Sequence, residues 1–309
     1  MTLTTQSMQD IILQLQDMLI DQESISFDVL DPDYEEGYAG KAVTVEGKRY
    51  IYRGYKSWID LAELLKCRMH TPKKIKNSPL VKLYFKKLDT GSFHSDKKEN
   101  EKYGTDSHFA QIHKMEEPTF LYYYNQALDN VNIGKRKHIL NLGVNRGDEY
   151  EVIRNKLDTK KYENIELVGI DHSDSAIAYA KRVFPENNVT FYAEDINRLD
   201  ALKLGRFDLL ISIGTLQSPS IDFKPFFMKL VQEYLTKDAA IILGFPNSRW
   251  MGGEMLYGAK APNYAMSEMS LVLNDIMFCK KYLQQKKFRV TVTGKQYLFL
   301  TATKIGIES

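Results

Sequence analysis

Apolar positions recur at helical spacing first at Met8, Ile11, Ile12, Leu15, Met18 and Leu19, which predicts an amphipathic helix over 7–20. The period then shortens to two. The stretches AVTV and KRYIYR, spanning 42–53, alternate on either side of Glu46-Gly47 and predict a hairpin. Ser57 is placed to cap a helix over 58–68, and Ser78-Pro79 reads as a helix start with Leu80, Leu83, Tyr84 and Leu88 on one face. The stretch TGSFHSDKKENEKYGTDS (90–107) is polar throughout and reads as a linker or loop.

From about residue 118 the texture becomes one of alternating strands and helices. Helices are predicted over 118–130, from 147, and over 173–183, 222–235 and 267–286. Strands are predicted over 138–142, 166–170, 189–193, 207–213 and 239–244, with a closing pair at 288–293 and 297–303. Strands separated by helices imply an α/β fold, a doubly wound and mostly parallel seven-stranded sheet, with ligands beyond the carboxyl ends of the strands. The last connection, GKQ (294–296), is too short for a crossover, so the last strand must run antiparallel. A smaller α+β region precedes this sheet.

Charge sharpens the division. Residues 1–40 contain nine Asp/Glu and no Lys or Arg, whereas 41–102 contain sixteen Lys/Arg against seven Asp/Glu. The near-neutral total of +2 therefore conceals two opposed stretches. Within the basic one, 66–88 has eight basic residues and no acid, and Lys73, Lys74, Lys76, Lys82, Lys86 and Lys87 are candidate contacts for a phosphate backbone, with RNA as partner. The alternative is a solvated face that the acidic arm neutralises within the molecule. The expected organisation is an acidic N-terminal helix and arm (1–40), a basic α+β accessory module (41–104) and a large α/β domain (105–309). No apolar run approaches the roughly 18–20 residues of a membrane span. The two cysteines, Cys67 and Cys279, make neither a disulfide framework nor a metal site. A cytoplasmic protein without a metal is the expectation.

The chemistry gathers at strand ends. In NLGVNRGDEY (141–150), Gly143 stands where the first strand of the sheet ends and Gly147 where a helix begins, the place where free N–H groups meet a ligand. Asp171 directly follows the second strand, where a carboxylate can accept both hydroxyls of a ribose, with His172 beside it. Asp195 and Ile196 follow the third. The simpler readings are an ordinary turn, a helix cap and a solvated acid.

In this order and spacing the features resemble the class I S-adenosylmethionine-dependent methyltransferases over about 118–309, a family whose sheet also closes with an antiparallel seventh strand. The resemblance implies S-adenosylmethionine as cofactor. Gly143 and Gly147 would line its methionine and ribose, Asp171 would hold the ribose and Asp195 with Ile196 would frame the adenine. Ser212, Ile213 and Gly214 would lie beside the sulfonium. Two positions depart from the pattern: Asn141 replaces the acid at the head of the loop, and Asn145 replaces the middle glycine. Asparagine tolerates positive φ, so the backbone path survives, while Asp148 or Glu149 is placed to restore the missing charge.

A nicotinamide-dependent dehydrogenase shares the loop and the ribose acid, but Tyr257 and Lys260 stand one residue too close for its Tyr-x-x-x-Lys pair. The long segment 244–268 supplies acceptor-site candidates in Asn247, Arg249, Trp250, Tyr257 and Lys260, the cations to hold an anion and the aromatics to stack. The catalytic residue stays open among Tyr257, Glu254 and His108. The segment 105–117, containing His108 and His113, is placed to fold over the cofactor. RNA, tRNA above all, is the favoured acceptor. A small anionic metabolite is the alternative, and a non-catalytic S-adenosylmethionine-binding protein the third reading.

Overall fold

The computed structural model describes residues 1–89, 108–259 and 267–306. The chain divides into two compact units, one of Met1–Gly91 with Trp250–Leu256 and one of Ser92–Arg249 with Tyr257–Ser309.

In the first unit a short strand β1 (Thr2–Leu3) precedes α1 (Met8–Asp21), which starts at a capping box. The Ser7 hydroxyl accepts from the Asp10 amide, and the Asp10 carboxylate accepts from the Ser7 amide. Ile11, Leu15 and Leu19 form its buried face, as the spacing predicts. Next come β2 (Ser24–Leu30), β3 (Ala42–Val45), β4 (Lys48–Ile51), α2 (Tyr55–Leu64), β5 (Cys67–Met69), β6 (Lys73–Lys74) and β7 (Leu80–Lys87). β3 and β4 make the expected hairpin, with Glu46 and Gly47 both at positive φ. The main sheet runs β1-β2-β7-β5, with β6 also on β7. The acidic segment 1–40 and the basic run at 66–88 thus fall in one unit, with β2 and β7 side by side and antiparallel.

Two expectations fail here. The helix foreseen after Ser78-Pro79 is β7. Val81, Leu83 and Phe85 are buried and Lys82, Tyr84 and Lys86 exposed, a period of two that the helical template at 80, 83, 84 and 88 overlays by coincidence. Ser78-Pro79 forms the turn into it, the Leu80 amide donating to Ser78 Oγ. Ser57 is not a cap either, because α2 begins at Tyr55 behind Gly54.

The second unit carries a seven-stranded sheet. Its strands are β8 (His138–Leu142), β9 (Glu166–Asp171), β10 (Val189–Ala193), β11 (Phe207–Ile213), β12 (Leu235–Pro246), β15 (Phe288–Gly294) and β16 (Tyr297–Lys304). The order is β10-β9-β8-β11-β12-β16-β15, and β16 runs antiparallel to both of its neighbours. The helices are α3 (Pro118–Asn130), α4 (Asp148–Lys156), α5 (Thr159–Glu163), α6 (Asp174–Val183), α7 (Phe223–Lys229) and α8 (Ser270–Gln285), and one π turn (Leu230–Tyr234) prolongs α7. They cover both faces. Leu300 of β16 joins a core cluster with Phe227, Ile276 and Leu283 from α7 and α8. Its neighbour Phe299 packs against Phe120 and Tyr124 of α3. The strand order reverses between β8 and β11, the switch point at which such sheets bind ligands. The stretch after β12, expected to be irregular, contains a hairpin of β13 (Ser248–Met251) and β14 (Glu254–Tyr257), turning at Gly252-Gly253.

Candidate functional site

β8 delivers its chain into the loop 143–147, whose backbone is fixed from within. Gly143 and Val144 donate their amides to the Ile170 carbonyl at the end of β9, at 2.8 and 3.2 Å. Asn145 sits at φ 46° and Gly147, the N-cap of α4, at φ 85°, so the asparagine adopts the left-handed conformation expected of it. A Cβ on Gly143 would lie 1.9 Å from Thr215 Oγ1, and one on Gly147 would lie 2.7 Å from the Phe184 ring. Both glycines are thus required by neighbouring side chains of the protein itself.

Asp171 joins two strand ends. It is 6% exposed, and one carboxylate oxygen accepts the Asn145 amide at 3.0 Å while the other accepts the Ser173 amide at 3.0 Å. Ser173, not Asp171, caps α6 through its own hydroxyl. Each oxygen of Asp171 keeps a further lone pair, so the carboxylate is pre-oriented with acceptor capacity in hand. His172 Nδ1 lies 3.6 Å from it. Asp195, exposed at the end of β10, accepts from the Asn197 amide and side chain, and Ile196 is buried in the core cluster. The Ser212 hydroxyl is committed to the Leu142 carbonyl at 3.3 Å, and Gly214, at φ 71°, lies beside Pro246 and Tyr297.

Under the loop lies a charge that partly answers the Asn141 departure. Asn141 is 1% exposed, and its buried Nδ2 makes no aligned hydrogen bond. Its side chain faces Glu149, in the first turn of α4. Burial raises the Glu149 carboxyl to about 7, while the Lys114 ammonium and the Asn141 amide favour its charged form. Burial works against the Lys114 charge, but Tyr297, Glu149 and Asp148 outweigh it and hold that ammonium above its ordinary range. Its Nζ lies 5.5 Å from the Tyr297 ring centroid.

Arg146, which the sequence reading passed over, fastens the segment before the domain. Its guanidinium donates to the carbonyls of Ala110 (2.7 Å) and Ile112 (3.4 Å), and it lies over the Tyr179 ring. A charged residue inside the glycine-flanked loop was the available signal. His113 is exposed, and the side chain of His108 lies outside the described residues, as does Lys260.

The other acceptor-site candidates separate. Asn247 is buried at the end of β12 and donates to the Lys295 carbonyl, while Arg249 is half-buried just beyond it. The Tyr257 hydroxyl faces Met269 Sδ at 3.6 Å. Trp250 and Glu254 belong to the first unit, where Glu254 pairs with Arg68 at 2.5 Å.

Residues 133–285 match a family model described as a methyltransferase domain. No curated protein matches the chain. Among solved structures, the plantazolicin methyltransferase BpumL in complex with a triazolic desmethylPZN analog and SAH is 12% identical, with 67% of this chain and 95% of that one covered and a TM-score of 0.47. Precorrin-6y C5,15-methyltransferase from Geobacter metallireducens GS-15 is 11% identical, with 60% and 88% covered and a TM-score of 0.42. The CurJ carbon methyltransferase is 15% identical, with 67% and 57% covered and a TM-score of 0.42. Residues 133–285 thus resemble a methyltransferase domain, and the seven-stranded sheet with its antiparallel β16 has the Rossmann-like fold expected of one.

Proposed function

We propose that the methyl acceptor is a small anionic molecule rather than RNA. The observation that carries this reading is the fate of the basic run. Lys82 pairs with Asp28 at 2.9 Å, Lys87 with Glu23 at 3.4 Å and Lys74 with Asp31 at 3.9 Å, each acid coming from the segment 1–40. Half of the six lysines nominated for a phosphate backbone thus already face carboxylates, while Lys73, Lys76 and Lys86 are exposed. Arg249, half-buried just beyond β12, is the cation that would hold the anion of the acceptor.

The residues at the strand ends fit the donor. Asp171 would offer its oriented carboxylate to the ribose diol, and Asp195 would take the adenine edge. Glu149, whose charged form the Asn141 amide favours, would supply the negative charge for the methionine ammonium. S-adenosylmethionine supplies an activated methyl group on a sulfonium. The backbone at Gly214 and the fixed strand ends around it position the reacting partners, which is the main service a protein renders to an in-line displacement.

The test supplies the full-length protein with methyl-labelled S-adenosylmethionine and cell extract, with and without RNase. Label in small solutes that RNase leaves unchanged is expected. Label that RNase removes would overturn the acceptor reading and leave the methyltransferase assignment untouched.

A further inference from the structure

The first unit contains a cavity of about 620 Å³, bounded by the N-terminal end of α1, one face of α2, the strand β4 and the turn around Gly40. Met8, Ile12, Ile51, Leu61 and Leu64 give it an apolar wall, and Gln6, Ser57 and Arg53 give it a polar end. Its size is that of a pocket for a small organic ligand. The decisive residue is Arg53, only 5% exposed. Its guanidinium donates to the Gln6 carbonyl at 2.6 Å and lies 5.7 Å from the Trp58 ring centroid, and its backbone carbonyl accepts from the Trp58 indole. Among the described residues no carboxylate pairs with it. Asp60, which also borders the cavity, is taken by Lys56.

A buried guanidinium without a counter-ion is costly, because one neutral carbonyl and a ring face replace only part of its lost hydration. Burial accordingly works against its charge. Such a group is retained at low cost where an anion completes it, and a planar guanidinium matches a carboxylate best. One arginine at one end of an apolar cavity suits a single negative head on an apolar body.

We propose that this cavity is a second ligand site, distinct from the S-adenosylmethionine site, that takes a small amphipathic carboxylate with its head on Arg53 and its chain along Met8, Ile12, Leu61 and Leu64. Arg53 carries the affinity for the head and the wall selects for a chain.

The test is titration calorimetry on the full-length protein with decanoate, and with decanol as the neutral counterpart. Saturable binding of decanoate, at least tenfold tighter than decanol, is expected. Arg53→Met should abolish that preference while circular dichroism shows the fold intact. Leu64 is 73% exposed, so Leu64→Glu leaves the core unaltered and places a like charge at the wall. It should weaken decanoate at least tenfold. Absence of saturable decanoate binding, equal affinity for the two compounds, or a folded Arg53→Met variant that keeps the preference would each overturn the proposal. Should Arg53→Met fail to fold, undiminished decanoate binding by Leu64→Glu would overturn it just as well.

Discussion

Burial raises the Glu149 carboxyl to about 7 from an ordinary 4.5, and this has two measurable consequences with opposite signs. Between those two values the unfolded chain has released a proton that the folded chain still holds. Stability therefore falls as pH rises through that window, and the penalty is complete above about 7. Glu149→Gln removes the charge and keeps the shape. It should be more stable than the parent at pH 8, by about 1–3 kcal/mol, with the difference gone below pH 4.5. Denaturant melts across that range measure it, and equal stabilities at pH 8 would show that the carboxylate is better solvated than its burial implies. S-adenosylmethionine affinity should move the other way. In the parent protein it weakens as pH drops below 7 and the charge facing the ammonium is neutralised, whereas Glu149→Gln should bind weakly at every pH. Asn145 offers a second test at this scale. Glycine accepts φ 46° without strain, and the bond from residue 145 to Asp171 is made by a backbone amide. Asn145→Gly should thus keep or tighten cofactor binding, and its loss would make the asparagine side chain a ligand. Asp171→Ala should raise the dissociation constant by two orders of magnitude, because it removes both the acceptor and the clamp on the loop.

At the scale of elements, most of the large unit was legible, although α5 was not foreseen and β12 runs over 235–246 rather than 239–244. β8, β10 and β11 begin and end where their apolar runs do, and α3 starts at the proline expected to open it. Buried parallel strands announce themselves because both faces are apolar and helices interrupt them at regular distances. The small unit was harder, because its strands are short and half-exposed. Local spacing reveals neither β2 nor β7, since what makes each a strand is the other, whose paired residues run from Leu30 with Leu80 to Ser24 with Lys86. The site divides in the same manner. Asp171 and the loop were legible from strand ends, whereas the pairing of Asn141 with Glu149 and the reach of Arg146 depend on tertiary approach. That reach is itself testable. Arg146 holds Ala110 and Ile112 by two charge-assisted bonds, and its side chain is only 12% exposed. Arg146→Ala should speed amide exchange across 110–114 and weaken S-adenosylmethionine several-fold through faster release, with little change in the melting temperature. Unchanged exchange there would mean that the segment is held by its other contacts.

For the whole molecule, the balance between acidic and basic stretches decides how it meets polyanions. The first forty residues hold nine acids and no base, and 66–88 hold eight bases and no acid, within a chain whose total is only +2. A uniform mixture would reach the same sum without a local field, but here Asp28 of β2 and the flanking Glu23 and Asp31 face Lys82 and Lys87 of β7 and Lys74 of β6. Exposed pairs of this kind contribute little to stability, about 0–1 kcal/mol each. Their larger effect is on the potential that a phosphate backbone would feel, which declines with salt over a Debye length of about 10 Å at 0.1 M. Replacing Glu23, Asp28 and Asp31 together by Gln, Asn and Asn therefore separates the two contributions. The melting temperature should change by only a few degrees, while binding to unstructured RNA at low salt should tighten about tenfold and its dependence on salt should steepen. If the parent protein already binds RNA as tightly as this variant, with the same salt dependence, the acids do not mask the lysines and the RNA acceptor regains its place.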